Sequence, residues 1–311
     1  MSGGPRVRLV GLGAALTGAT RENATTAAEL GVTPDWIEAR TGIQRRRVLA
    51  PGETLLDLAC AAAAEALGPT PPDLVIAATI TAPEATPALA SRVQQRLGLA
   101  GPAFDVSAAC AGFVYGLATA RAHLLAGDAT RVLVVGADAL SGRVDAADRD
   151  TAILFGDAAG AAVLALGEGP GPVVEAVVLG GDARHADILG LGAHVYMEGR
   201  QVYRLAARYL EDAVRQVCAR AGWAPESVAL LVPHQANRRL LEAVARRLEL
   251  PFERVVCDIE DVGNTSAASV PVALAHARAA GRLAGGQRVV LVGLGAGLVH
   301  AALALTWGGT D

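Results

Sequence analysis

With 311 residues, the chain can bury a large core and sits where single cores begin to divide in two. It is 52% hydrophobic and 19% charged with a net charge of −4, a balance that gives no footing for nucleic acid. The mean hydropathy of +0.37 comes largely from alanine, and the apolar stretch Ala108 to Ala120 is shorter than the ~20 residues a membrane-crossing helix needs.

In chain order, Arg6 to Val10 alternates as a strand and Gly11-Leu12-Gly13 reads as a tight turn. Leu16 stands where a dinucleotide fingerprint needs a third small residue, which excludes that motif. The same glycines interrupt what would otherwise faintly resemble a secretion signal. Thr33-Pro34-Asp35-Trp36 opens a helix running to about Arg40, with proline early and acid in the first turn. Arg45-Arg46-Arg47 reads as a solvated loop. A helix over 53–67, a strand over 74–79 and a helix over 87–97 follow.

Pro102 to Val106 predicts the end of a short buried strand, and 109–126 a helix with Phe113, Val114, Leu117, Leu124 and Leu125 on one side. Cys110 then falls on the first turn, where free N–H groups and the positive helix end favour a thiolate. Ala108, Ala109, Ala111 and Gly112 leave space around the sulfur. A lone cysteine is more often a small apolar packing residue, so this position needs company before it means chemistry. Strands over 131–136 and 157–166 complete a pattern of apolar strands between helices, the mark of a layered α/β fold.

A faint repeat links Arg131–Gly136 and the apolar run after it to Arg288–Gly293 and the run 298–305. It predicts two related halves, 1–167 with the cysteine and 168–311. The second half reads as a strand over 173–179, a helix over 199–221, a strand over 228–232, and a helix capped by Asn237. A short Val255-Val256 strand and a helix over 266–280 precede the closing strands. His234 sits where a buried strand ends and a helix begins, and Asn264 in another loop entering a helix. The other five histidines lack such settings. Cys60, Cys110, Cys218 and Cys257 show no CxxC or close Cys/His pair, so neither a metal site nor a disulfide framework is expected, and a reducing, cytoplasmic setting is.

Three stretches in order, DVSAACAGF around Cys110, PHQAN around His234 and GNTSAAS around Asn264, resemble the Cys-His-Asn signatures of β-ketoacyl-acyl-carrier-protein synthase III. The resemblance extends through DWIEARTGI at 35–43, Phe155-Gly156-Asp157 and Met197-Glu198-Gly199, nearly the whole chain. It implies a thiolase-like five-layer αβαβα fold made by duplication, a homodimer, and acyl-CoA as a substrate with no cofactor and no metal. The implied reaction loads an acyl group onto Cys110 and condenses it, with loss of CO₂, with malonyl-acyl carrier protein. His234 and Asn264 donate to the enolate oxygen, and the backbone N–H groups of Cys110 and Ala296 form the oxyanion hole.

The same resemblance implies coenzyme A binding by Trp36, Arg40, Arg149 and Arg200, and carrier docking by Arg239, Arg246 and Arg247. Arg200 follows Met-Glu-Gly where some family members have asparagine. The segment 182–195 that covers the acyl pocket is short, and Thr86 occupies the place of a bulky gate, so branched or medium-length acyl groups are expected to load at least as well as acetyl. Two other readings share the motifs: transfer of the Cys110-bound acyl group to an alcohol or amine, and a non-catalytic acyl-carrier-binding partner. A retained nucleophile speaks against the second. Asn264 speaks against the first, since simple transfer forms no enolate.

Overall fold

The computed structural model describes residues 6–308. Its first half contains strands β1 (Arg6–Leu16), β2 (Thr20–Glu22), β3 (Arg45–Arg47), β4 (Leu74–Ala78), β5 (Ala103–Val106), β6 (Arg131–Ala139) and β7 (Asp157–Gly167). Helices α1 (Asn23–Leu30), α2 (Pro34–Thr41), α3 (Leu55–Ala66), α4 (Leu89–Leu97) and α5 (Gly112–Ala126) lie between them. The second half has β8 (Val173–Gly181), β9 (Leu189–Leu191), β10 (Val195–Met197), α6 (Gly199–Ala221), β11 (Leu230–Pro233), α7 (Arg238–Arg247), α8 (Ile259–Val262), α9 (Ser269–Ala279), β12 (Arg288–Gly295) and β13 (Val299–Thr306).

Nine strands form one ladder in the order β11-β12-β13-β8-β1-β7-β6-β4-β5. Its centre, β8 against β1, is joined by a single registered pair, Arg8 opposite Val173, so the ladder divides there into two sets. In each set the first strand pairs with the last, β1 with β7 and β8 with β13. A parallel pair stands at each far side, β4 beside β5 and β11 beside β12. Val255, bridged in parallel to Leu231, stands where β5 stands in the first set.

Strand alternation sorts the core into layers. Leu74 and Ile76 of β4 pack with α5, while Val75 and Ala77 pack with α3 and α4. On β12, Val289 and Leu291 join the α5 and α9 side, and Val290 and Val292 join α6 and α7. The layers are therefore α3/α4, sheet, α5/α9, sheet and α6/α7, the five-layer order expected. Helices α5 and α9 are apolar nearly all round, as a helix covered on both sides must be. Leu125 is the exception: at 52% exposure it lies off the buried side the pattern assigned it.

Two other expectations are corrected. Gly11 and Gly13 make no turn but lie within β1, where an added Cβ would come within 1.9 Å of the Ala66 carbonyl oxygen and 2.3 Å of that of Ala62. They let the backbone of α3 rest directly on the strand. Nor is Arg45–Arg47 a solvated loop: it is β3, paired with β2, and Arg46 is 1% exposed. Arg46 donates to the Ile153 carbonyl and, at 2.8 Å, to Asn23 Oδ1, while burial lowers its pKa to about 10.

Candidate active site

Cys110 lies in a single 3-10 turn, Ala109–Ala111, between β5 and α5. Ala109 takes φ +46°, a region L-residues rarely adopt, and this sharp bend turns the sulfur toward the layer interface. The facing strand end is built to match: a Cβ on Gly295 would stand 2.6 Å from the Ala108 carbonyl oxygen and 2.9 Å from the Cys110 nitrogen. Only glycine lets the Ala296 loop approach the nucleophile this closely.

The thiol does not rest as the helix-start argument expects. Burial pushes the Cys110 pKa up to about 12, aided by the charge of Asp138, against a pull downward from the Ser266 hydroxyl and its own backbone N–H. Desolvation outweighs the hydrogen bonds, and α5 proper begins only at Gly112.

His234 follows β11 and is 4% exposed. Its backbone N–H donates to the Val292 carbonyl at 2.8 Å, and its Nδ1 lies 2.7 Å from Ser269 Oγ at the start of α9. Burial lowers its pKa to about 3, so the ring is neutral at ordinary pH. Gln235 N–H points to the same Oγ at 3.4 Å. With Gln235 on one lone pair, the Ser269 hydroxyl is free to give its proton to Nδ1, the arrangement that carries the ring proton on Nε2.

Asn264 is pinned on three sides. Its backbone N–H donates to Leu154 and its carbonyl accepts from Gly156, both at 2.9 Å. Its Oδ1 accepts from Ser266 N–H at 3.0 Å. With Oδ1 engaged, the side-chain NH₂ is the group left to donate. Arg46, on the Ile153 carbonyl, braces the turn bearing these contacts.

Cys110, His234 and Asn264 line one cavity of about 670 Å³. Leu189, Met197, Val202, Leu240 and Leu294 give it apolar walls; residues outside the sequence motifs are recognisable as lining only once α6 and the 182–195 segment fold over them. A second cavity of about 360 Å³ opens on the other side of the nucleophile turn, among Ile80, Ala108, Ala109, Leu191, Ala296 and Val299.

The cations expected around the site separate into groups. Arg40, Arg200 and Arg239 line the larger cavity and form no ion pair among the described residues. The Arg40 guanidinium sits 3.9 Å from the Trp36 ring centroid. Asn237 joins these elements by capping α7 at Arg239 N and donating to the Arg40 carbonyl. Arg149 lies further out, donating to the Leu30 carbonyl at 3.2 Å. Arg246 is exposed on α7, whereas Arg247 is held by Glu211 at 2.5 Å. Thr86 is exposed and lines neither cavity within this chain. Asp105 on β5 caps α4, accepting from Leu89 and Ala90 N–H, which ties the chain after Thr86 to β5. Among the described residues no cluster of His, Cys, Asp and Glu is arranged for a metal, and no helix is long and apolar enough to cross a membrane.

A family model for 3-oxoacyl-[acyl-carrier-protein (ACP)] synthase III matches residues 104–183, and its C-terminal counterpart matches 218–307. The chain is 45% identical over 312 residues to β-ketoacyl-[acyl-carrier-protein] synthase III 2 of Streptomyces coelicolor, covering 97% of this chain and 94% of that one. Among solved structures, the 3-oxoacyl-(acyl carrier protein) synthase III of Pseudomonas aeruginosa PAO1 superposes with a TM-score of 0.93 at 44% identity, covering 97% and 98% of the two chains. The priming β-ketosynthase of the R1128 polyketide pathway gives a TM-score of 0.91 at 34% identity, covering 100% and 99%. Fold, site geometry and these likenesses agree: the chain belongs to the 3-oxoacyl-[acyl-carrier-protein] synthase III family.

Proposed function

We propose that this protein takes an acyl group from acyl-CoA onto Cys110 and condenses it with malonyl-acyl carrier protein, releasing CO₂ and starting a fatty-acid or polyketide chain. The observation that carries this reading is the convergence of Cys110, His234 and Asn264 on one cavity, with both partners of the cysteine held as neutral hydrogen-bond donors. The Cys110 sulfur attacks the thioester carbonyl, and coenzyme A leaves as a thiol after protonation. Malonyl then loses CO₂, its C–C electron pair becoming an enolate whose oxygen is met by His234 Nε2–H and Asn264 NH₂. The enolate carbon attacks acyl-Cys110, whose oxyanion is received by the backbone N–H groups of Cys110 and Ala296. Preorganised neutral donors favour decarboxylation; a cation would instead hold the carboxylate in place. Acyl-CoA is a substrate here, and the scheme calls for no cofactor.

The halves 1–167 and 168–311 supply complementary parts, nucleophile from one and donors from the other. Trp36, Arg40, Arg149 and Arg200 suit coenzyme A at the cavity mouth. Arg239 and Arg246 suit an acidic carrier protein, with Arg247 contributing less because Glu211 already holds it. A homodimer fits the half-buried β5, paired among the described residues with β4 alone and so able to receive a second copy along its other edge. In such a dimer Thr86 of a partner subunit would close the smaller cavity, which we assign to the acyl chain. The free cysteines suit a reducing, cytoplasmic setting. Intact-mass measurement after exposure to a panel of acyl-CoAs, followed by malonyl-acyl carrier protein, tests the scheme. An adduct on Cys110 that malonyl-acyl carrier protein discharges as a ketoacyl product supports it; discharge only to alcohols or amines would replace condensation by simple acyl transfer.

A further inference from the structure

His234 leaves the sheet where the sheet itself is broken, and one buried side chain spans the break. On the side of β11 away from β12 runs the segment after Arg254. It is bridged in parallel at Leu231 and Val255, and Val256 N–H donates to the Leu231 carbonyl at 2.8 Å. In a parallel ladder, alternate residues face the same neighbour. The next position of β11 on this side, 233, would take the Val256 carbonyl on its N–H and offer its own carbonyl to Asp258 N–H. Pro233 has no N–H to give. The Val256 carbonyl therefore finds no donor at 233, and the ladder stops.

Gln235 fills the gap with its side chain. Its Nε2 donates to the Pro233 carbonyl at 2.8 Å and to the Val256 carbonyl at 3.0 Å, and its Oε1 accepts from Asp258 N–H at 3.1 Å. These are the backbone groups that the interrupted ladder leaves over, and a primary amide can donate twice and accept among them. All its partners are backbone atoms, which fixes which end of the amide is nitrogen. Gln235 is 1% exposed, so an apolar residue in its place would leave buried polar groups unpaired one residue from a reacting ring.

The same amide closes a circuit around His234. Asp258, whose N–H it holds, has a carboxylate oxygen 2.8 Å from Nδ1 of His276 on α9. Ser269, about two turns earlier on the same face of α9, lies 2.7 Å from Nδ1 of His234. The ring is thus held through α9 and the backbone beside it through Gln235, and both holds meet at Asp258. On the β12 side, His234 N–H still donates to the Val292 carbonyl. The strand stays paired on one side and is released on the other, which lets the chain turn at His234 toward α7.

We propose that Gln235 is a positioning residue of the condensation step: its side-chain amide replaces the ladder pairing lost at Pro233 and so holds His234 Nε2–H on the enolate oxygen. No bond or proton changes at Gln235 itself. The inference deepens the reading above and rests on His234 as a donor to that oxygen.

A double-mutant cycle on malonyl decarboxylation, followed as CO₂ release, tests it. Gln235→Met keeps the length of the side chain and removes the amide. With His234 present, it should lower kcat about tenfold or more and leave KM and Cys110 loading within about twofold. In the His234→Ala background, where Asn264 remains as donor, the same substitution should cost less than about twofold, because no ring is left to place. Equal losses in both backgrounds, loading and decarboxylation falling together, or no loss at all, overturns the proposal. Should Gln235→Met not fold, Gln235→Glu decides by the same criterion, since it keeps the acceptor for Asp258 N–H and gives up the donors. If His234→Ala itself leaves decarboxylation unchanged, the donor role of His234 falls and this inference with it. A loss there, with Gln235→Met costing the same in both backgrounds, defeats this inference alone.

Discussion

Ser269 Oγ lies 2.7 Å from Nδ1 of His234, so the proton available to substrate is placed on the far side of the ring by a residue one helix away. Removing that hydroxyl frees the ring to turn and leaves a buried nitrogen unsatisfied, a loss of about 1–3 kcal/mol. Ser269→Ala should therefore lower condensation roughly tenfold or more while sparing acyl loading, measured as separate half-reactions. Because burial sets the His234 pKa near 3, below the ordinary imidazole value, the neutral ring persists throughout the usual range. Malonyl decarboxylation should show no inflection near pH 6.5; one there would mean the ring is charged in use. The linked stability runs the same way: present above pH 6.5, it is lost as pH falls toward 3, because the unfolded chain binds the proton first.

Cys110→Ala should form no acyl adduct yet retain malonyl decarboxylation, which needs only His234 and Asn264. Asn264→Ala should keep loading and lose condensation by about 10²–10³, the size expected for one preorganised donor. An adduct surviving on Cys60, Cys218 or Cys257 in the first variant would move the nucleophile elsewhere.

Arg239→Glu should raise KM for carrier-bound malonyl and weaken its salt dependence, with acyl-CoA loading little changed. Arg247→Glu should have a smaller effect on the carrier and a larger one on melting, because it sets a like charge against Glu211. Equal effects of both reversals on KM would place docking over the whole end of α7.

Competition between acetyl-CoA and longer acyl-CoAs for Cys110 tests the smaller cavity. At roughly 0.8 kcal/mol per buried methylene, each added carbon that finds apolar contact should gain about threefold to fourfold. Branched or medium chains should load at least as well as acetyl. A clear acetyl preference would show that Ile80, Leu191 and a partner subunit leave no such room.

The chemistry of this chain was legible where residue type and position coincide. Cys110 and His234 each follow a strand and precede a helix, Asn264 lies in a loop entering one, and their motifs carry the family resemblance. What supports them was not legible, because those partners come from remote elements: Ser269 from α9, Asp138 from β6, where it receives Ala267 N–H at 3.2 Å, and Arg46 from β3. Asp138 did leave a trace, a carboxylate inside an otherwise apolar strand, which is costly to bury without reason. Arg46 left none. Three identical residues hide the period-two alternation that buries only the middle one. Thr86 lines no cavity of its own chain, since a motif position alone does not say which side chains a fold brings to a pocket.

The pairing of each half's first strand with its last also governs how the chain reaches its fold. Arg6 finds its ladder partner in Gly167, and Val174 in Leu305. During synthesis β1 must stay unpaired until nearly the whole first half has emerged, and β8 repeats the wait. Such distant pairings are entropically slow to close, and waiting strand edges invite misassembly. The dependence on chaperones should fall on these two strands, and a chain stopped before β13 leaves β8 open along the side where its own half would have closed.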